Sequence, residues 1–343
     1  MTDWYNIYKR CTICPRNCGT DREKQLGACG ADAQLKAARA ALHFWEEPCI
    51  SGKAGSGAVF FSGCGLRCVF CQNQPIAQGN AGKNISAGRL AEIFLELQEQ
   101  GASNINLVTA GHFIPHVISA VESARRQGLR LPIVYNTSSY EKVDAIKRLE
   151  GIADIYLPDF KYWDSNLARR FSHAPDYPFV AKAAIAEMVR QQPKPSFYPE
   201  PTGKERMKVS DEEAVNEWRK RCSGTKTGDR EGGKDVSMAD DGWLMKKGVI
   251  VRQLLLPGHV SDAKQTLRYL HETYGNNIYI SLMSQYTPVI SSEEFPELGR
   301  RVTKREYGRL VDLALELGVE QAFIQEENAA KESFIPHFDG QGV

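Results

Sequence analysis

Three cysteines, Cys64, Cys68 and Cys71, fall within the stretch GCGLRCVFCQN at 63–73, in the spacing C-x3-C-x2-C. Thiolates bind soft metals, and four of them usually close a structural zinc site or an iron–sulfur cluster. Here one short loop supplies three, with no fourth cysteine beside them. Three thiolates can hold three irons of a cubane 4Fe–4S cluster and leave the fourth iron open to another ligand. The same logic separates catalytic zinc sites, which keep an open position, from closed structural ones. The competing reading is a structural zinc loop that borrows a distant fourth cysteine. Zinc knuckles of that kind sit on small hairpins, whereas this loop directly follows the short apolar run SGAVFFSG at 56–63.

A second set, Cys11, Cys14, Cys18 and Cys29, lies upstream in CTICPRNC and LGACG. Four thiolates can close a tetrahedral zinc site or a second iron–sulfur cluster, and the residues do not choose between them. Cys49, in EEPCISG, either replaces one of the four or is buried; Cys222 reads as a lone thiol. Of the nine cysteines, eight lie in the first 71 residues. The odd total, the tight clustering and an N-terminus (MTDWYNIYKRC) without an apolar signal core read as metal binding in the cytoplasm, not as a disulfide framework. The formal net charge is +1, with 42% hydrophobic and 25% charged residues. There is no basic stripe to neutralise phosphates, which argues against a nucleic-acid partner. No stretch approaches the length of apolar chain that spans a membrane.

The elements that must position these cysteines follow from periodicity. Apolar runs at 56, 104, 131, 154, 248 and 277 alternate with amphipathic helical stretches, and EQAFIQ near 320–325 reads as a last short strand. In SAGRLAEIFLELQEQGA (86–102), Leu90, Ile93, Phe94 and Leu97 share a helix face and Ser86 is placed to cap it. Ser261 occupies the equivalent position before SDAKQTLRYLHETYG. Strands alternating with helices of this length imply βαβ units, a parallel sheet and right-handed crossovers. The expected fold is α/β, a partial (β/α)6 barrel with a cysteine-rich extension over residues 1–50, the barrel over 51–326 and a tail over 327–343. An insertion at 192–247 interrupts it. Its part SGTKTGDREGGKDVSMADDG is Gly-rich, charged and nearly free of aliphatic residues, so it reads as a mobile surface segment.

In such a barrel, functional residues sit at strand C-terminal ends. The second strand ends in Thr109-Ala110-Gly111-His112, where Gly111 permits close backbone approach. The third ends in Asn136, Thr137 and Ser138, whose donors and acceptors suit a ribose or a carboxylate, or form a plain turn. The fourth ends in Asp159 and Lys161, an exposed ion pair or a point charge for a carboxylate. Arg252 breaks an apolar run in VRQLLLPGH, so its partner is anionic, either a cofactor carboxylate or an acidic side chain. His259, Gln285 and Tyr286 complete the strand-end set; Tyr286 serves equally well as rim packing.

The three-cysteine loop after the first barrel strand resembles that of the radical S-adenosylmethionine superfamily. The stretches EEPCISGKAGSGAVFFSGCGLRCVFCQN, INLVTAGHF, YNTSSYE, IYLPDFKY, AIAEMVRQ, VRQLLLPGH, ISLMSQY and FIQ together resemble proteins named as pyruvate formate-lyase-activating. The resemblance covers roughly 8–192 and 248–326, and the insertion between departs from it. It implies a 4Fe–4S cluster on Cys64, Cys68 and Cys71, with S-adenosylmethionine chelating the open iron. One electron then cleaves the S–C5′ bond, and the 5′-deoxyadenosyl radical abstracts a hydrogen atom from substrate. It implies an adenine packed by Phe70 and further cofactor contacts from Thr109, Gly111, Asn136, Thr137, Ser138, Asp159, Lys161 and Arg252. It implies an electron donor such as flavodoxin or ferredoxin, and a glycyl radical enzyme as partner. In that superfamily a Gly-Gly-Glu element often meets the methionyl amino group, but no acidic residue follows Gly111 here. Modification of a small molecule or peptide, or a non-catalytic iron–sulfur scaffold or redox sensor, are the alternative readings.

Overall fold

The computed structural model describes residues 4–198, 243–290, 293–325 and 336–343. Ten strands are described: β1 (Lys36–His43), β2 (Ser56–Phe61), β3 (Lys83–Asn84), β4 (Ile105–Val108), β5 (Ile133–Thr137), β6 (Ile155–Pro158), β7 (Ser196–Tyr198), β8 (Leu244–Leu254), β9 (Tyr279–Met283) and β10 (Ala322–Ile324). They form one sheet in the order β10-β9-β8-β6-β5-β4-β2-β1-β3, with β7 pairing β8 off this path. From β2 through β4, β5, β6, β8 and β9 to β10 every neighbour is parallel. The two edges, β10 and β3, do not pair, so the sheet stays open, as expected of a partial α/β barrel.

Period-2 alternation divides the parallel strands between two faces. Ile133, Tyr135, Tyr156, Val249, Val251 and Ile280 join the large core shared with the helices. Val134, Ile155, Leu157, Ile250 and Tyr279 point the other way and form a second core with Cys49, Phe197 and Trp243. Strands covered on both faces lose the polar alternation of an exposed sheet, and β2, SGAVFF, is buried at all six positions. Cys49 is therefore a buried residue of the apolar floor. Further along the same face the side chains turn polar: Asn106, Asn136, Asp159 and Arg252 stand at or near the strand C-terminal ends. The sheet thus has an apolar floor and a polar rim.

Helix Ala87–Glu99 buries Leu90, Ile93, Phe94 and Leu97, and the Ser86 hydroxyl caps it by accepting from the Arg89 amide at 3.0 Å. Thr303 and Glu306 form a reciprocal capping box on helix Lys304–Glu316. Ser261 is not a cap. The helix runs Val260–Tyr274 from His259, which makes no side-chain capping bond, and Ser261 sits inside its first turn. The helix N-cap lies two residues earlier than the serine pattern suggested, directly after the Pro257-Gly258 turn.

Two boundaries differ from the sequence reading. β1, within the cysteine-rich segment 1–50, pairs antiparallel with β2 and belongs to the same sheet. Its sequence, KAARAALH, is alanine-rich and carries little strand propensity of its own. The insertion expected at 192–247 is built into the fold at both ends. Ser196–Tyr198 pairs antiparallel with the start of β8, and Phe197 stacks edge-on against Trp243 at 4.4 Å. Cys222 and the stretch expected to be mobile lie outside the described residues. Residues of the C-terminal stretch 336–343 lie along β1, where the Ala40 amide donates to the Gln341 carbonyl at 2.9 Å. Among the described residues, no helix is long and apolar enough to cross a membrane.

Candidate functional site

The cysteine loop leaves β2 through a turn that needs glycine. Gly63 has φ 95°, and a Cβ there would lie 2.9 Å from His112 Nε2 and 3.0 Å from the Cys29 carbonyl. His112 Nε2 donates to the Ser62 carbonyl at 2.7 Å. Burial, aided by nearby Arg22, lowers its pKa to about 3, so His112 is a neutral clamp on the loop's first residue, not a group facing solvent. The Cys64 amide donates to the Cys29 carbonyl at 2.9 Å and the Val69 amide to Phe171 at 2.8 Å. Ser172 Oγ lies 3.1 Å from Cys68 Sγ, and Tyr162 hydrogen-bonds that serine at 2.7 Å.

Cys64, Cys68 and Cys71 are all partly accessible. Burial pushes the Cys71 thiol up to about 12, and its neighbours Cys68 and Cys64 push it further in the same direction. Burial also raises Cys68, opposed by Lys161. Cys71, opposed in its ionisation by both neighbours, needs a cation nearby to become a thiolate. Among the described residues, no three His, Cys, Asp or Glu side chains are arranged to hold a single metal ion. The donors are three neighbouring thiols on one loop, a set that fits iron–sulfur ligation.

Phe70 does not offer a face to a cofactor. It is 5% exposed and packs edge-on against Tyr286 at 6.1 Å and Tyr162 and Phe171 at 6.3 Å. The large aromatic core beneath the loop claims it. Tyr286 belongs to the same core, its hydroxyl donating to the Leu298 carbonyl at 2.8 Å, so rim packing is its role. Gln285 reaches the cysteine loop by its backbone: its carbonyl accepts from Gln72 Nε2 at 3.4 Å.

The polar rim is one connected network. Arg252 donates through Nε to Asp159 Oδ1 at 2.8 Å, through Nη1 to Glu46 Oε2 at 3.0 Å, and through Nη2 to Asn136 Oδ1 at 2.6 Å. Asn136 and Asn106 both donate to Glu46 Oε1, at 3.2 and 3.1 Å. Lys161 Nζ donates to Asp159 Oδ2 at 2.6 Å. Burial pushes Asp159 up, but Arg252 and Lys161 together hold it below the usual carboxylate range. The anionic partner required for Arg252 is thus Asp159 with Glu46. Arg252 and Asn136 are committed to these side chains and to each other, which replaces the direct cofactor contact expected of them. Glu46 was missed because nothing in EEPC marks it; only the return of the chain from β1 brings it over β5 and β8.

A narrow cleft opens beside the cysteine loop, lined by Cys14, Cys64, Thr109, Gly111, Ser138 and Glu141 among others. Thr109, Gly111 and Ser138 therefore do meet one space with Cys64. Glu141 is the second residue missed. Its Oε1 accepts from Thr137 Oγ1 at 2.8 Å and from the Tyr135 hydroxyl at 3.2 Å. Thr137 consequently supports Glu141 and is not free for a ribose. Burial raises the Glu141 carboxyl to about 7, against the pull of those two donors. A Cβ on Gly111 would lie 2.6 Å from its Oε2, so the glycine is what lets this carboxylate into the cleft. Glu141, from beyond β5, thus places an acid beside Gly111 that the local sequence does not. A second cleft is lined by Lys161, Gln253, His259 and Asp262 among others.

No family model matches the chain. An uncharacterized protein of Methanocaldococcus jannaschii is 24% identical over 316 residues, covering 90% of this chain and 75% of that one. Crystal structures of SuiB from Streptococcus suis, one bound to the precursor peptide SuiA and one bound to S-adenosylmethionine, align with a TM-score of 0.43 and 10% identity. Those alignments cover 78% and 82% of this chain but 47% and 50% of the SuiB chains, so the chain spans about half their length.

Proposed function

We propose that the chain is a radical S-adenosylmethionine enzyme. Cys64, Cys68 and Cys71 would hold three irons of a 4Fe–4S cluster, with the fourth iron open to the cofactor. The observation that carries this reading is the set of three neighbouring thiols on one loop at the C-terminal end of β2, above a polar rim and an apolar floor. When bound, the reduced cluster supplies the electron that cleaves S-adenosylmethionine to methionine and a 5′-deoxyadenosyl radical able to abstract a hydrogen atom.

The chain's own residues have separable tasks in this reading. Ser172 and His112 hold the loop in place. Lys161, anchored on Asp159, keeps N–H donors for a carboxylate and lies close enough to Cys68 to favour its thiolate. Glu141, Thr109 and Ser138 offer acceptors to the cofactor's ammonium and hydroxyls across the cleft that Gly111 keeps open. The apolar floor of Val134, Leu157 and Ile250 excludes water from beneath a reactive radical. The hydrogen donor proposed is a backbone glycine of a partner enzyme, with flavodoxin or ferredoxin as the one-electron donor. The resemblance of the strand-end stretches to activating proteins supports that choice of substrate.

Electron paramagnetic resonance of the anaerobically reconstituted, reduced protein tests the cofactor site. Adding S-adenosylmethionine is expected to change the cluster's signal, since the cofactor binds the open iron directly. A spectrum that is unchanged at saturating cofactor contradicts the reading.

A further inference from the structure

The second cysteine set is more than a sequence cluster. The Cys11 amide donates to the Thr20 carbonyl and the Gly19 amide to the Cys11 carbonyl, both at 2.9 Å, which folds Cys18 back beside Cys11. The Asn17 amide closes a turn on the Cys14 carbonyl at 3.1 Å, with Asn17 and Gly19 in the left-handed region at φ 44° and 64°. A second tight loop, Gly27 to Ala31, carries Cys29. Cys18 Sγ lies 4.0 Å from the Cys11 carbonyl oxygen. A Cβ on Gly27 would lie 3.3 Å from Arg22 Cδ and 3.5 Å from Cys29 Sγ, so Arg22 stands beside Cys29 in the second loop.

An independent observation points to an anion at the same place. Arg22 is 0% exposed. Its guanidinium lies 4.5 Å from the ring centre of Tyr8 and 5.5 Å from that of Phe113. Its hydrogen bonds go to the carbonyls of Asp32 and His112, and Nη1 lies 3.9 Å from Cys11 Sγ. These partners are carbonyls and a sulfur, not a carboxylate. A buried cation needs a counter-charge, and the groups at hand that can become anionic are thiols. A metal displaces thiol protons as it binds. Cys14 is half-buried and Cys18 exposed, so both side chains have room to turn onto a cluster.

We infer that Cys11, Cys14, Cys18 and Cys29 form a four-thiolate site for a second iron–sulfur cluster, with Arg22 as its buried counter-cation. No three of these side chains converge on one point as a single zinc ion would require, whereas a cluster spreads its thiolates over several irons. A cluster on four thiolates carries a net negative charge, which the guanidinium offsets. The site also braces the catalytic loop, because the Cys29 carbonyl accepts the Cys64 amide at 2.9 Å and Arg16 donates to the carbonyls of Gly65 and Leu66 at 2.7 and 3.0 Å. Cys49 has no part in it, being buried in the floor beyond β1.

The test uses the full chain with Cys64, Cys68 and Cys71 changed to Ala, so that only the second set remains. Metal and acid-labile sulfide are measured by mass spectrometry and colorimetry after anaerobic purification. The expected result is one centre per chain, about four irons with sulfide, and about one zinc without sulfide contradicts a cluster. Adding Cys11→Ser and Cys29→Ser should remove it, and Arg22→Leu should release it to a chelator at least tenfold faster than Arg22→Lys. Absence of stoichiometric metal from a folded triple variant, or its retention after the two serine substitutions, overturns the inference. If the triple variant does not fold, the two serine substitutions are read in the otherwise unchanged chain, where an unaltered total metal content overturns it. Failure of the radical reading leaves this measurement intact, because the triple variant carries no cysteine of the barrel loop.

Discussion

Asp159 is shared between two cations of unequal freedom: Arg252 holds Oδ1 at 2.8 Å and Lys161 holds Oδ2 at 2.6 Å. Arg252 is also bound to Glu46 and Asn136, whereas the Lys161 ammonium makes this one ion pair among the described residues. The two positions should therefore respond differently. Lys161→Met is expected to weaken S-adenosylmethionine binding about ten- to hundredfold, the scale of one charge-assisted contact at roughly 1.5 to 3 kcal/mol, with iron content unchanged. Arg252→Ala leaves Glu46 buried without its cation and Asp159 with Lys161 alone, and should cost about 3–5 kcal/mol of stability. Calorimetric titration of the cofactor, paired with thermal melts, distinguishes the two. Equal loss of affinity in both variants at equal stability would show that Arg252 meets the cofactor directly.

Gly111 and Glu141 form a steric pair. A methyl group on Gly111 would press on the carboxylate, 2.8 Å from its Cδ. Gly111→Ala should destabilise the protein by about 1–3 kcal/mol and reduce cofactor affinity by displacing Glu141. Combining it with Glu141→Ala should recover most of that stability, a coupling that a double-mutant cycle measures. Additive effects would mean the two residues do not touch.

Glu141 also predicts a pH dependence. Its folded carboxyl titrates at about 7, above its ordinary 4.5, because burial disfavours the charged form. The folded state therefore holds this proton more tightly than the unfolded state. That contribution is fully present below the ordinary value and is lost as pH rises through about 7. Between these limits it amounts to at most about 3 kcal/mol. Glu141→Gln should flatten the fall in urea-unfolding stability over this window relative to the unchanged chain. Parallel profiles for the two proteins contradict the assignment.

The alternation of apolar runs and helical faces made the parallel sheet legible, because strands buried on both faces leave continuous runs such as SGAVFF. The cysteine loop was equally plain, since its three ligands lie on one short segment. What stayed hidden depends on contacts across the chain. Glu46 and Glu141 sit in unremarkable stretches and gain meaning only when β1 and β5 deliver them to Arg252 and Gly111. Arg252 was recognised as needing an anion, but the choice between cofactor and protein was fixed by Asp159 standing beside it across the β6–β8 pair. Phe70 was assigned by position in a motif, and the aromatic core around Tyr162 and Phe171 decided otherwise. β1 was lost because alanines form a strand only when neighbours cover them.

The pairing of Tyr198 with Leu244 makes the chain between them replaceable by a short turn. Excising 200–241 and closing the hairpin with Asn-Gly is expected to leave the melting temperature and cofactor cleavage unchanged. Loss of cluster assembly in that deletion would show that the excised segment takes part in the fold.

The central claim is the open iron on the Cys64, Cys68 and Cys71 loop. Its most direct test is product analysis of anaerobic, dithionite-reduced protein incubated with S-adenosylmethionine. The expected products are 5′-deoxyadenosine and methionine in equal amounts, formed slowly without substrate and at least tenfold less with Cys68→Ala. A protein with a full complement of reduced cluster that forms neither product contradicts it.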